Sequence, residues 1–346
     1  LDISDIKCKR FEPSFSDKEC RFYLNNNDEA GLPLCGFCSL PDMYRCTEDL
    51  RGPDRPLPFS HSSVQNYLSC HFLHYLKNIR GIETRPAHLS MALKLGTLWD
   101  RAKQMHLGAE INIQDVINKY EIPDMEVAKV KALFRAYKQF NMQVDPDYNL
   151  QAGFNMWLDF PFTWGDGRKV RMAVKGFYDR KYPTYFTEDK LTSRPEYYQD
   201  RFFIQSQVGT YFLADPNLEE VVMEITKTPD LKHTGSHAGE SPDTYEERIF
   251  QDIMSRPSHY FIGFNRETRR YGQKFYRSEF QLDELNDRYL MIFKEMYDAT
   301  TLNRFYKNDR CCKNLLPGIP CDMLDICRYN TMSEVVYKIR DKEVPF

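Results

Sequence analysis

Between residues 169 and 227 the chain reads strand, tight turn, strand, helix, strand, an order that fixes which side chains can share a face. Segments near 150–162, 169–179 and 184–191 carry aromatics and alternate with the two-residue period of antiparallel strands. Tyr182-Pro183 falls between the last two, where proline's fixed φ suits a turn. Residues 196–213 follow as a helix, with Pro195 in a tolerated opening position, and 219–227 return to strand.

The flanks extend this pattern. Residues 1–58 are irregular and cysteine-rich, and end in the extended stretch Gly52-Pro-Asp-Arg-Pro-Leu-Pro58. A helix is expected from Ser62, with Gln65 three residues on as a capping box. Val64, Tyr67, Leu68, Phe72, Tyr75, Leu76 and Ile79 form its apolar stripe. At about 100° per residue Cys70 falls opposite that stripe, which favours a ligand over a packing cysteine. Further helices are expected at 88–107, 112–119, 124–142, 242–255 and 282–300, and strands at 257–266 and 272–281. The chain therefore reads as α+β, a central mixed sheet flanked by helices, with a helical N-terminal part and cysteine-rich ends. Three parts are expected: a module at 1–58, a main domain at 59–330 and a tail at 331–346.

Charge and hydropathy narrow the function classes. No run of 18 apolar residues occurs, so no membrane span is expected. A net charge of −3 argues against a protein that coats polyanions with its whole surface. Nucleic-acid contact would need local patches, and Arg266, Arg269, Arg270, Lys274 and Arg277 form one, interleaved with Tyr271, Phe275 and Tyr276.

The chemistry lies on the strand–turn–strand–helix core. With a turn at Tyr182-Pro183, Asp179 lies opposite Glu188 or one step diagonal to it. Glu188 and Lys190 share a face of their strand, while Asp189 points away. Two carboxylates and a carbonyl are hard oxygen donors suited to Mg²⁺ or Mn²⁺. Gln207 and Tyr211 are one helical turn apart, able to hold Lys190 or a phosphate oxygen.

Ten cysteines could form disulfides or bind metal, and their distribution favours metal. Five lie within the first 46 residues, one at position 70 and four between 311 and 327, so none staples the middle. Cys20, Cys35, Cys38 and Cys46 form a candidate zinc set around a Cys-x2-Cys knuckle, with Cys8 spare and His61 a competitor. That module would guide DNA or a partner protein, or cap the fold.

Taken in order, Gly176-Phe-Tyr-Asp179, Glu188-Asp-Lys190 and Gln207-x3-Tyr211 resemble the motifs of PD-(D/E)XK nucleases of the RecB-like branch. This branch includes nuclease domains of bacterial recombination enzymes, exonucleases of CRISPR adaptation and many phage-encoded relatives. The resemblance covers roughly residues 60–330 and implies a restriction-endonuclease-like core. It also implies Asp179 and Glu188 as metal ligands and Lys190, Gln207 and Tyr211 as catalytic or positioning groups. Where the family places Gly-x3-His, this chain has Gly96-Thr-Leu-Trp-Asp100, so Asp100 stands in the histidine position. Iron–sulfur members of the branch carry one cysteine on the opening helix and three near the C-terminus. Cys70, Cys312, Cys321 and Cys327 match that arrangement and imply a [4Fe–4S] cluster, with Cys311 a substitute for Cys312 and zinc the alternative metal.

The expectation is a metal-dependent DNA exonuclease acting on single strands or ends, in a prokaryotic or phage-infected cytoplasm. The alternative is a catalytically degenerate nucleic-acid-binding scaffold of the same fold.

Overall fold

A computed structural model describes residues 57–163, 169–199, 206–301, 304–312 and 321–339. The candidate zinc cysteines Cys20, Cys35, Cys38 and Cys46 lie outside the described residues. The chain divides into two units: one takes Pro86–Gly153 and Phe177–Leu282, the other the residues up to Arg85, Phe154–Gly176 and those from Asp283 on.

The chain is mixed α/β, with a mixed sheet flanked by helices. Its strands are β1 (Leu57–Ser60), β3 (Asn149–Thr163), β4 (Lys169–Lys181), β5 (Tyr185–Thr192), β6 (Glu220–Lys227) and β7 (Gln273–Tyr276). β2 (Ile82–Thr84) and β8 (Tyr337–Ile339) form a separate antiparallel pair. The sheet order is β1-β4-β5-β6-β7, with β3 also on β4. β4 and β5 are antiparallel around the Tyr182-Pro183 turn. β5 and β6 run parallel from Tyr185↔Glu220 to Thr192↔Lys227. A parallel pair needs a crossover, and the one here includes a helix at Ser206–Ala214.

The helices of six or more residues are α1 (His61–Ser69), α2 (Met91–His106), α3 (Ile113–Tyr120), α4 (Asp124–Gln139), α5 (Ser206–Ala214), α6 (Pro242–Ser255), α7 (Leu282–Thr301) and α8 (Leu324–Tyr329). In the unit that carries β5 and β6, one core joins Leu98 and Trp99 of α2, Leu133 and Tyr137 of α4, and Ile249 and Ile253 of α6. None of the helices is long and apolar enough to cross a membrane among the described residues.

A cluster of four buried charges joins α2 to the sheet. Lys103 Nζ of α2 reaches Asp189 Oδ1 at 2.8 Å and Glu224 Oε2 at 2.6 Å. Arg180 Nη2 reaches the same two carboxylates at 3.3 and 2.6 Å. Tyr271 Oη accepts a third hydrogen bond from Lys103 at 3.1 Å. Burial alone would push the Glu224 carboxyl up, but the two cations hold it well below the usual range. Three strands and a helix thus meet at two carboxylates and two cations.

Three local expectations are corrected. The helix expected from Ser62 through Ile79 begins earlier and breaks: Ser60 is the N-cap, and Ser60 and Ser63 form the reciprocal capping box at 3.0 and 3.1 Å. Cys70 is extended (φ −163°), and a π-helical turn occupies Tyr75–Ile79. Helical phase therefore does not carry past residue 69, and Cys70 is buried with Leu73 and Leu76 rather than facing away from the apolar stripe. The segment 257–266 is not a strand: Pro257 opens a helical turn, Pro257–Tyr260, leaving only isolated bridges at Thr226↔Phe261 and Asn265↔Arg270. The expected helix at 196–213 is described as a turn, Pro195–Gln199, and as α5.

Lys103→Met leaves Asp189 and Glu224 buried against Arg180 alone. The expected cost is about 3–5 kcal/mol of stability, read from denaturant unfolding. A change under about 1 kcal/mol would show that the cluster does not anchor α2.

Candidate active site

The β4–β5 ladder contains the pairs Arg180↔Thr187 and Lys181↔Phe186 next to the turn. Beyond them the Asp179 carboxylate enters the ladder: its Oδ2 accepts the Asp189 N–H at 2.8 Å. Its Oδ1 accepts from Gln151 Nε2 at 3.4 Å. Gln151 holds a left-handed backbone (φ 49°) inside β3, a strained conformation for a non-glycine residue. Nothing in the local sequence marks it as a partner of Asp179.

Alternation along β5 puts Glu188 and Lys190 on one face and Asp189 on the other. Glu188 Oε1 accepts from Lys190 Nζ in a short ion pair and from Gln207 Nε2 at 2.9 Å. Gln207 Nε2 also donates to Tyr211 Oη at 2.8 Å. Gln207 and Tyr211 share a face of α5, and Gln207 engages the Glu188 carboxylate rather than the lysine. Tyr178 Oη donates to the Tyr211 carbonyl at 3.0 Å, fixing α5 over the hairpin. Asp100 Oδ2 accepts from Gln104 Nε2 at 2.9 Å within α2, three residues before Lys103.

The electrostatics follow from several carboxylates sharing one lysine. Burial pushes the Glu188 carboxyl up to about 7, against the pull of Lys190 and with the help of Asp179. Burial likewise raises Asp179, with Lys190 and the Asp189 N–H pulling it back. Asp100 is raised by burial and then by Asp189. Burial works against the Lys190 charge, but Glu188 and Asp179 more than reverse that and hold it above its ordinary value. The arrangement retains a proton near neutral pH, and a divalent cation would take that proton's place. Among the described residues no three His, Cys, Asp or Glu side chains converge as a ready ligand set. The donor chemistry still fits a hard cation: buried carboxylate oxygens, with both Glu188 bonds on Oε1.

The basic patch divides by partner. Arg266 and Arg269 are exposed. Arg270 is paired with Asp145, and Lys274 Nζ with Glu220 at 2.9 Å. Arg277 Nη1 donates to the carbonyls of Phe212, Asp215 and Leu218 at 2.6, 3.2 and 3.4 Å, so it caps the end of α5.

In the other unit, Cys70, Cys312, Cys321 and Cys327 line one small pocket with Leu73 and Leu76. Cys70 Sγ accepts the Asn308 N–H at 3.3 Å, and the Cys312 carbonyl accepts the Cys321 N–H at 3.1 Å. Burial pushes the Cys321 thiol up to about 11 and raises Cys327 as well. Soft thiol donors suit an iron–sulfur cluster or zinc in kind, although these four, too, do not converge as a ready ligand set.

No protein-family model matches the chain, and no curated protein matches it.

The Glu188 shift has a definite sign. The folded state holds a proton that the unfolded chain releases from pH about 4.5, so metal-free stability falls as pH rises from about 4.5 through about 7. The loss is on the order of 3 kcal/mol. Thermal unfolding across this range should show the slope in the wild type and a flatter one in Glu188→Gln. Parallel slopes would show that Glu188 ionises normally.

Proposed function

We propose that the chain is a metal-dependent DNA nuclease of the RecB-like PD-(D/E)XK kind, built on a restriction-endonuclease-like core and closed by a [4Fe–4S] cluster. One observation carries the reading: the Glu188 carboxylate is bonded by both Lys190 and Gln207, with Asp179 set into the neighbouring gap of the hairpin. An acid fixed between a lysine and a carboxamide, beside a second buried acid, is a costly arrangement that pure packing does not call for.

Asp179 and Glu188 would hold a Mg²⁺ or Mn²⁺ ion, with Asp100 as the third carboxylate. When bound, the ion lowers the pKa of the attacking water and offsets charge on the scissile phosphate. Lys190 Nζ orients the water and stabilises the negative charge that builds on the phosphate oxygens. Gln207 positions Glu188 and the Tyr211 hydroxyl together, and the Asp189 N–H holds the Asp179 carboxylate in place. Arg266 and Arg269 are the exposed cations best placed to contact a DNA backbone. Cys70, Cys312, Cys321 and Cys327 would ligate the cluster, joining residue 70 to the segment 312–327.

The reading predicts cleavage of end-labelled single-stranded DNA with Mn²⁺ or Mg²⁺, abolished by EDTA. Lys190→Ala and Asp179→Ala should each lose at least about a hundredfold in rate while still binding DNA. Normal cleavage by both variants would sink the mechanism. Binding without cleavage by the wild type in both metals would favour a degenerate scaffold.

Anaerobically purified protein should carry about four iron atoms per chain and visible absorbance that disappears in Cys321→Ser. Stoichiometric zinc in a colourless protein would assign the thiols to zinc instead.

A further inference from the structure

The face of the β4–β5 hairpin opposite Glu188 and Lys190 opens into a cleft of about 740 Å³, within the range of small-molecule sites. Its floor holds two polar groups without partners: Arg180 Nε and Thr187 Oγ1 are buried and make no hydrogen bond. The two residues are direct cross-strand partners, 1% and 2% exposed, and both line the cleft. Leaving such groups unpaired is costly, so they point to something that binds there.

The remaining lining says what kind of ligand. Tyr182 and Tyr185 stack at 4.0 Å with 6° between their planes, and Tyr185, half-buried, faces the cleft with the exposed Tyr276. Such a stack extends naturally to a third flat ring. Gly272 (φ 109°) brings the backbone close: a Cβ there would lie 2.8 Å from the Met223 carbonyl. The charges do not invite an anion. Three basic side chains, Arg180, Arg270 and Lys274, face four acids, Asp145, Glu219, Glu220 and Glu224, and each base already has a carboxylate partner. A flat uncharged ring is therefore favoured over a phosphate or carboxylate. Arg180 Nε donates, and Thr187 Oγ1 donates or accepts, from residues that are cross-strand partners. A donor beside a group that can accept suits the carbonyl and N–H of a cyclic amide.

We propose that this cleft binds a nucleobase, with its amide edge on Arg180 and Thr187 and its ring on the Tyr182–Tyr185 stack. The base belongs either to a free nucleoside or to a bound strand. The site does not use Asp179, Glu188 or Lys190, so it stands whether or not the chain cleaves DNA.

Calorimetric or NMR titration with uridine and with adenosine, without added metal ion, tests it. Saturable binding is expected, with ribose inert and uridine monophosphate no tighter than uridine. Thr187→Val removes the hydroxyl at constant shape and should weaken binding at least about tenfold. Val222→Phe, on the cleft-lining face of β6, should block it while the melting transition is retained. Displacement of bound nucleoside by a single-stranded oligonucleotide, but not by an abasic one, assigns the base to a strand. Nucleoside binding without such competition assigns it to a free nucleoside. No base-dependent binding by the wild type, or equal binding by both variants, would overturn the proposal and leave the two floor groups to water.

Discussion

The unit that carries β5 and β6 rests on two cations and two carboxylates that are buried together. Lys103 and Arg180 each touch both Asp189 and Glu224, so no single charge can be removed without leaving the other three unbalanced. A buried ion pair adds little to stability beyond what an apolar replacement would give, but breaking one is expensive. The cluster therefore acts less as glue than as a register pin. It admits one alignment of β4, β5 and β6 and one rotation of α2.

Asp189 is the residue through which that pin sets the site. Its carboxylate belongs to the charge cluster on one face, while its N–H holds Asp179 beside Glu188. The position of Asp179 is thus set by an ion cluster on the far side of the sheet, and Asp100 is carried on the same helix as Lys103. A carboxylate fixed through a backbone amide keeps its place as its own charge changes. A side-chain partner would be drawn closer or released with each proton.

Much of this was legible in the sequence because period-two alternation is a strong constraint. Residues two apart on a strand share a face, as Glu188 and Lys190 do. A turn at Tyr182-Pro183 sets Asp179 opposite Glu188 or one step diagonal to it, and four-residue spacing puts Gln207 and Tyr211 on one helix face. What could not be read was long-range. Lys103 and Glu224 are 121 residues apart, and no local pattern joins them. A signal was nevertheless present: Glu224 stands among Val221, Val222, Met223 and Ile225, where a charge must be buried and therefore paired. Arg277 was misleading for the same reason, since its carbonyl partners lie 59–65 residues earlier. The phase argument for Cys70 failed because a local break, invisible to a periodic pattern, ends α1 at Ser69.

The two units differ in how their residues arrive. The unit that carries β5 and β6 is complete once residue 282 has been made. The other is assembled from three separated stretches, and Cys70 Sγ takes its hydrogen bond from Asn308, 238 residues further on. On the ribosome, the first cysteine and its neighbours must wait, exposed, while the inserted unit emerges and folds. Maturation of the thiol pocket is therefore the last event of synthesis. A chain truncated before residue 312 would present a finished carboxylate site in one unit and a thiol pocket lacking three of its four cysteines in the other.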